Sequence, residues 1–225
     1  MQGTIINSVA VIAGSLIGVA IGKALSANFK KTLTNALGLA TIVIGLQMAL
    51  KFGNLLPVVA ALLLGAITGE LLKLEEGINL LGNKLKLTVK SRLPTFVEGF
   101  VTASILYLMG AMSILGAIEE GTGNPPTILY IKSMLDFCAS IALASTLGIG
   151  VAFAAISVFL FQGVVTIAAG YLTFLNIPEV IEAISATGGV LILAIGITLL
   201  EIARIRIASL LPSIVYIVIW VTWLS

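Results

Sequence analysis

The sequence predicts an all-α, polytopic membrane protein of about eight transmembrane helices, read as a single transmembrane domain over residues 1–225. Three observations lead there. Of its residues, 59% are hydrophobic and 10% charged, where a soluble domain carries about a quarter charged residues. A mean hydropathy of +1.19 is too high for a surface that must face water. The apolar residues also run unbroken instead of recurring every three or four positions: no charge falls between Gly3 and Gly22, and between Ser133 and Leu175 the only charge is Asp136. Crossing about 30 Å of hydrocarbon at about 1.5 Å per residue takes roughly 20 residues. Backbone groups cannot stay unpaired there, which leaves helices or a closed barrel, and the alternating segments of a barrel are not present.

Taken in order, the expected spans are 4–23, 33–50, 55–72, 95–117, 128–148, 151–173, 184–203 and 208–224. The first follows Met1-Gln2-Gly3-Thr4, which lacks a positive n-region and a cleavage site, so it reads as a retained span and not a signal peptide. Lys51-Phe-Gly-Asn54 before Pro57, the stretch Gly121 to Pro126, and Asn176-Ile-Pro178 punctuate the connections. Residues 128–173 are too long for one crossing, and Gly148-Ile-Gly150 marks the turn that divides them.

With this count, Lys23, Lys30, Lys31, Lys73, Lys84, Lys86, Lys90, Arg92, Arg204 and Arg206 share one side, against Lys51 and Lys132 on the other. That asymmetry makes the basic side cytoplasmic and puts both termini outside. Glu119, Glu120, Glu179 and Glu182 then fall outside as well. The segment 73–93 carries Leu74, Ile78, Leu81 and Leu85 at helical spacing with flanking lysines. It reads either as an amphipathic linker on the inner leaflet or as a plain connector. Gly38-x6-Gly45 in span 2 resembles Gly189-x6-Gly196 in span 7, and Leu55-Leu56-Pro57 resembles Leu210-Leu211-Pro212. Spans 2–3 and 7–8 would then form an inverted repeat, as in many secondary transporters.

Ionisable groups at membrane depth cost about 2.5–3.5 kcal/mol each on insertion scales, which makes them functional candidates. Asp136 leads. Ser133, Asp136 and Ser140 share one helical face that could offer oxygens to a cation or a proton, and Lys132 lies one turn away. The structural alternative is a Lys132–Asp136 pair that only fixes packing. Glu98 opens span 4, where the helix dipole favours a carboxylate; with Thr102 one turn on it could line an inner vestibule. Gln162 falls mid-span beside Gly163 and Thr166, either as helix glue or as a substrate contact. Asn7 and Gln47 lie nearer span ends, and Glu70 and Glu201 are read as interfacial beside Lys73 and Arg204.

Gly14-x3-Gly18-x3-Gly22 and Gly65-x3-Gly69 make smooth grooves for close helix packing, within the chain or against a second copy in a homo-oligomer. The lone Cys138 can form no intrachain disulfide, and histidine, the usual general base and metal ligand, does not occur. Basic residues are scattered over short loops, which argues against nucleic acid as a partner. No phosphate loop, HExxH or GxSxG motif or metal-ligand cluster is found. No cofactor, metal or enzymatic activity is therefore expected.

Three stretches together carry a resemblance: Gly3-Thr-Ile-Ile-Asn-Ser-Val-Ala-Val-Ile-Ala-Gly-Ser-Leu-Ile-Gly18; Phe96-Val-Glu-Gly-Phe-Val-Thr-Ala-Ser104 with Met109-Gly-Ala-Met112; and Lys132-Ser-Met-Leu-Asp136 with Ala144-Ser-Thr-Leu-Gly-Ile-Gly150. The whole chain resembles the prokaryotic membrane family called domain of unknown function 554, the YqgA-like proteins. The resemblance implies a cytoplasmic-membrane protein whose assigned role goes no further than transport, and it carries over no substrate or catalytic residue. Glu98 and Asp136 sit inside the matching runs. The leading expectation is a secondary transporter of a small solute or ion, coupled to a proton or cation at Asp136. A channel, or a non-transporting scaffold that uses the glycine grooves, is the alternative.

Overall fold

With no water to take their backbone hydrogen bonds, the apolar runs close into helices. The computed structural model describes residues 1–91, 93–109, 111–169 and 177–223, and of Ala111 the backbone only. In order the helices are α1 (Gln2–Ala24), α2 (Ala27–Ala49), α3 (Leu55–Leu71), α4 (Leu74–Thr88), α5 (Phe96–Leu108), α6 (Ala111–Gly121), α7 (Thr127–Leu147), α8 (Ala154–Ala168), α9 (Pro178–Leu199) and α10 (Ser213–Trp223). Short 3-10 turns, Ile149–Phe153 and Ile207–Leu210, lead into α8 and α10. The protein is an all-α, multi-pass membrane protein. Among the described residues five helices are long and apolar enough to cross, and up to seven if each of two bent pairs is one span.

Several expected boundaries move. Span 4 (95–117) is broken into α5 and α6, which meet at 63°. The stretch 73–93 is largely the helix α4, turned by 61° from α3. Lys73 makes that corner in the left-handed region at φ 53°. Leu80, Leu81 and Leu87 of α4 are exposed. Helix α9 starts at Pro178, six residues before the expected 184, because proline is suited to a first helical turn. Helix α2 starts six residues before the expected 33 and carries Lys30 and Lys31 within it. Span 8 is the shorter apolar segment Ile207–Trp223. The division of 128–173 falls at Gly148, whose φ of +83° suits glycine alone. Arg92, Gly110, residues 170–173 of span 6, Asn176 and Leu224 lie outside the described residues.

The chain divides into two compact units, residues 1–37 with 82–173 and residues 38–81 with 174–225. In the first, α1 lies against α7. Gly14, Gly18 and Gly22 face the carbonyl oxygens of Phe137, Ile141 and Ser145 so closely that a Cβ would collide with each. Both series rise together in steps of four, so the two helices run parallel with their backbones in contact. The stripe of Gly14, Gly18 and Gly22 is thus filled within the chain and is not a free face for a second copy. Parallel helices bring two positive N-termini to one end, and adjacent glutamates of α6 meet them. Glu119 accepts from Ile128 N–H at 3.0 Å, and Glu120 accepts from Gly3 N–H at 2.6 Å and Thr4 Oγ1 at 2.9 Å. Helices α5–α6 and α8 are also parallel, since Gly150 meets Phe96, Ser104 bonds Ser157 at 2.9 Å, and Gly121 meets Thr166.

In the second unit the pairings are antiparallel. Gly45 lies against Gly189 and Gly38 against Gly196, and Gly65 and Gly69 lie against Ser213 and Ser209. Arg206 bridges Glu70 of α3 and Glu76 of α4 at 2.5 and 2.7 Å, while Glu75 accepts from Ala208 N–H at 3.0 Å. Glu70 is therefore paired with Arg206, where the sequence placed it beside Lys73. A turn of the Glu76 carboxyl onto its own backbone N–H, aided by Arg206 and against some desolvation, holds it below the usual carboxylate range.

Candidate functional site

Asp136 lies nine residues after Thr127, roughly 13 Å along α7. Its neighbour one turn earlier is the feature that defines the site: Lys132 Nζ is 2.5 Å from Asp136 Oδ2. Lys132 is 5% and Asp136 6% exposed. The i, i+4 spacing on one helix delivers the two side chains to the same face, and that face is turned inward, since Ile131, Met134 and Leu135 beside them are exposed where lipid would lie.

Three other helices complete the surroundings. From α1 comes Asn7 and from α8 Gln162, both 0% exposed, with Asn7 Nδ2 donating to Gln162 Oε1 at 3.4 Å. The Asn7 side chain also lies beside the Asp136 carboxylate. Each amide keeps one atom without a partner, Asn7 Oδ1 and Gln162 Nε2. A buried polar atom left unpaired costs about 1–3 kcal/mol, so the two mark places where a polar group could be received. From α5 comes Tyr107, whose hydroxyl is 2.7 Å from Ser140 Oγ. The Lys132 ammonium sits 5.7 Å from the centre of its ring, a distance at which the ring face attracts a cation. Tyr107 is next to last in α5, and its carbonyl accepts from Ser113 of α6 at 2.5 Å, so the break in span 4 is tied beside the charge pair.

The sequence candidates thus divide. Lys132, Asp136, Ser140, Asn7 and Gln162 meet around one point. Ser133 is buried on the same helix but gives its hydroxyl to Leu129 O at 2.6 Å. Thr166, one turn from Gln162, is buried with an unpartnered hydroxyl. Glu98 is exposed in the first turn of α5, nine residues or roughly 13 Å before Tyr107. Thr102 is buried one turn after Glu98. Tyr107 and Glu120 were not singled out in the sequence. Tyr107 did carry a signal, a phenol in an apolar span that needs a partner, whereas the reach of Glu120 to α1 depends on tertiary structure. No group of three or more His, Cys, Asp or Glu gathers among the described residues. A shallow cavity of about 440 Å³ lies in the second unit, lined by Ala66, Ile67, Glu70, Arg206 and Ser209 among others. Cys138 is exposed.

Helices of this length and a compensated charge pair inside one of them define a multi-pass membrane protein with a buried intramembrane polar site. The chain belongs to the family described as Protein of unknown function (DUF554), which matches residues 2–222. It is 35% identical over 218 residues, 95% of this chain and 93% of the relative, to the uncharacterized membrane protein YdfK of Bacillus subtilis (strain 168). It is 31% identical over 232 residues, 99% of each chain, to the uncharacterized protein YqgA of Escherichia coli (strain K12). No solved structure matches it.

Proposed function

We propose that the protein is a secondary transporter of a small solute or cation, driven by a proton or cation gradient and acting without covalent chemistry. The observation that carries this reading is the Lys132–Asp136 pair at membrane depth, with two fully buried amides beside it that each keep an unpartnered atom. Charges inside a bilayer protein mark ion and substrate paths more often than packing devices, and a helix broken beside a site is a recurring way to build one.

On this reading the chain crosses the cytoplasmic membrane eight times with both ends outside. Helix directions support the count. Parallel α1 and α7 require an odd number of crossings between them, which α2, α3 and the α5–α6 pair supply while α4 lies on the inner surface. The broken pair α5–α6 is then a crossing and not a re-entrant loop. The two glycine pairs of α2 and α9 support the inverted repeat: exchanging the helices maps the contact of Gly38 with Gly196 onto that of Gly189 with Gly45.

Purified protein in liposomes should take up labelled solute or cation only when a proton or sodium gradient is imposed, and Asp136→Asn should abolish the uptake. Flux that ignores the gradient, or an Asp136→Asn variant as active as the wild type, overturns the reading. Single-channel steps would assign a channel instead.

A further inference from the structure

We propose that the site performs electroneutral exchange of a monovalent cation for a proton, with Asp136 holding the cation and Lys132 carrying the proton. This deepens the transport reading and rests on it. The Lys132 ammonium occupies, at 2.5 Å, the position a cation would take on Asp136, and the pair is neutral as a whole. A cation that simply joined them would leave a net positive charge in a place with little solvent, and a buried unpaired charge is the costliest state such a site can reach. Neutrality is kept if the arriving cation displaces the ammonium and Lys132 gives up a proton.

The step balances. One N–H bond of the ammonium breaks, its electron pair stays on Nζ, and the proton passes to water on the side to which the site is then open. The cation takes the place of the ammonium on Asp136. A single carboxylate matches a single positive charge, and a divalent ion would again leave the site charged. The side chains that meet at the pair carry neutral oxygens that could turn to such an ion: Asn7 Oδ1, which has no other partner, Gln162 Oε1, which accepts from Asn7, and Ser140 Oγ, which is bonded to Tyr107. Hard cations prefer this kind of oxygen set.

The groups that face the pair leave the proton to Lys132. Among the described residues of the elements packed on α7, α1 brings the uncharged Asn7, backed by Gln162 of α8, and the turn Ile149–Phe153 brings no ionisable side chain. Helix α5 brings Tyr107, with Glu98 near its other end. Glu119 and Glu120 of α6 are engaged by backbone N–H groups at the starts of α7 and α1, and Glu120 also by the Met1 ammonium.

The test uses the full chain in liposomes with a pH dye inside and the membrane potential clamped with potassium and valinomycin. A sodium gradient should drive proton movement one for one, and reversing the clamped potential should leave the rate unchanged. Lys132→Gln should lose at least tenfold of the proton flux while any sodium flux that remains follows the potential. Lys132→Arg, which keeps the ion pair but holds its proton, should lose exchange and still fold. Sodium flux in the wild type that follows the potential, or proton coupling that survives Lys132→Gln, overturns the proposal. In either case gradient-driven transport that needs Asp136 would still stand. Liposomes in which neither sodium, lithium nor labelled solute moves under any gradient overturn the transport reading and this proposal together.

Discussion

Removing one charge of the Lys132–Asp136 pair should destabilise the protein far more than removing both. At an effective dielectric constant near 20, unit charges 2.5 Å apart attract by about 7 kcal/mol. Burial has taken several kcal/mol of hydration from each charge, so most of that attraction only offsets desolvation. The pair as a whole then adds little to stability, but a lone survivor keeps its desolvation penalty with nothing against it. Asp136→Leu and Lys132→Met should each cost about 3–5 kcal/mol. The double variant Lys132→Met with Asp136→Leu should lie within about 1 kcal/mol of the wild type. Unfolding followed by SDS titration in mixed micelles measures all four proteins, and the cycle isolates the coupling. Single variants that unfold at the wild-type midpoint would refute the reasoning, because they would mean that both charges are already solvated.

The α1–α7 contact should be equally sensitive. Gly18→Ala puts a methyl group against the Ile141 carbonyl and should cost about 1–3 kcal/mol in the same titration, with the oligomeric state by light scattering unchanged. A changed oligomeric state at unaltered stability would place the stripe at a face between copies instead. Glu201, exposed at the end of α9 with φ 57°, should gain about 0.5–1 kcal/mol on Glu201→Gly, since glycine takes that conformation without strain. Glu76 has its carboxyl held below the usual range. Its folded value lies under its unfolded one, so the hold on α4 is full at neutral pH and lost as pH falls through the lowered value. Hydrogen-exchange protection of residues 74–88 should drop in acid, and protection that rises there would contradict the assignment.

The membrane character of the chain was legible because hydrocarbon imposes its demand residue by residue: a run such as Gly3 to Gly22 has no soluble alternative. The end of α7 was legible at Gly148 for a similar reason, since a positive φ selects glycine. The break between α5 and α6 was not, because both halves are apolar and the bend is held by a contact as local as Ser113 to the Tyr107 carbonyl. The site was half legible. Asp136 stands out by its charge, and helical spacing brings Lys132 and Ser140 to it. Asn7 lies near the start of α1, and only the parallel fit of α1 on α7 buries it against Gln162 and Asp136. The partner of Gly14, Gly18 and Gly22 was equally hidden, since a smooth groove does not specify what fills it.

Transport through this site requires that water and ions reach the Lys132–Asp136 pair from each side of the membrane in turn. Ser140 lies one turn beyond Asp136 and is fully buried. With exposed Cys138 first replaced by serine, Ser140→Cys can be challenged in oriented vesicles with a membrane-impermeant thiol reagent from either face. Labelling from both faces, slowed by sodium, is the result the account predicts. A thiol that reacts from neither face under any gradient would contradict it and leave the pair as a sealed packing device.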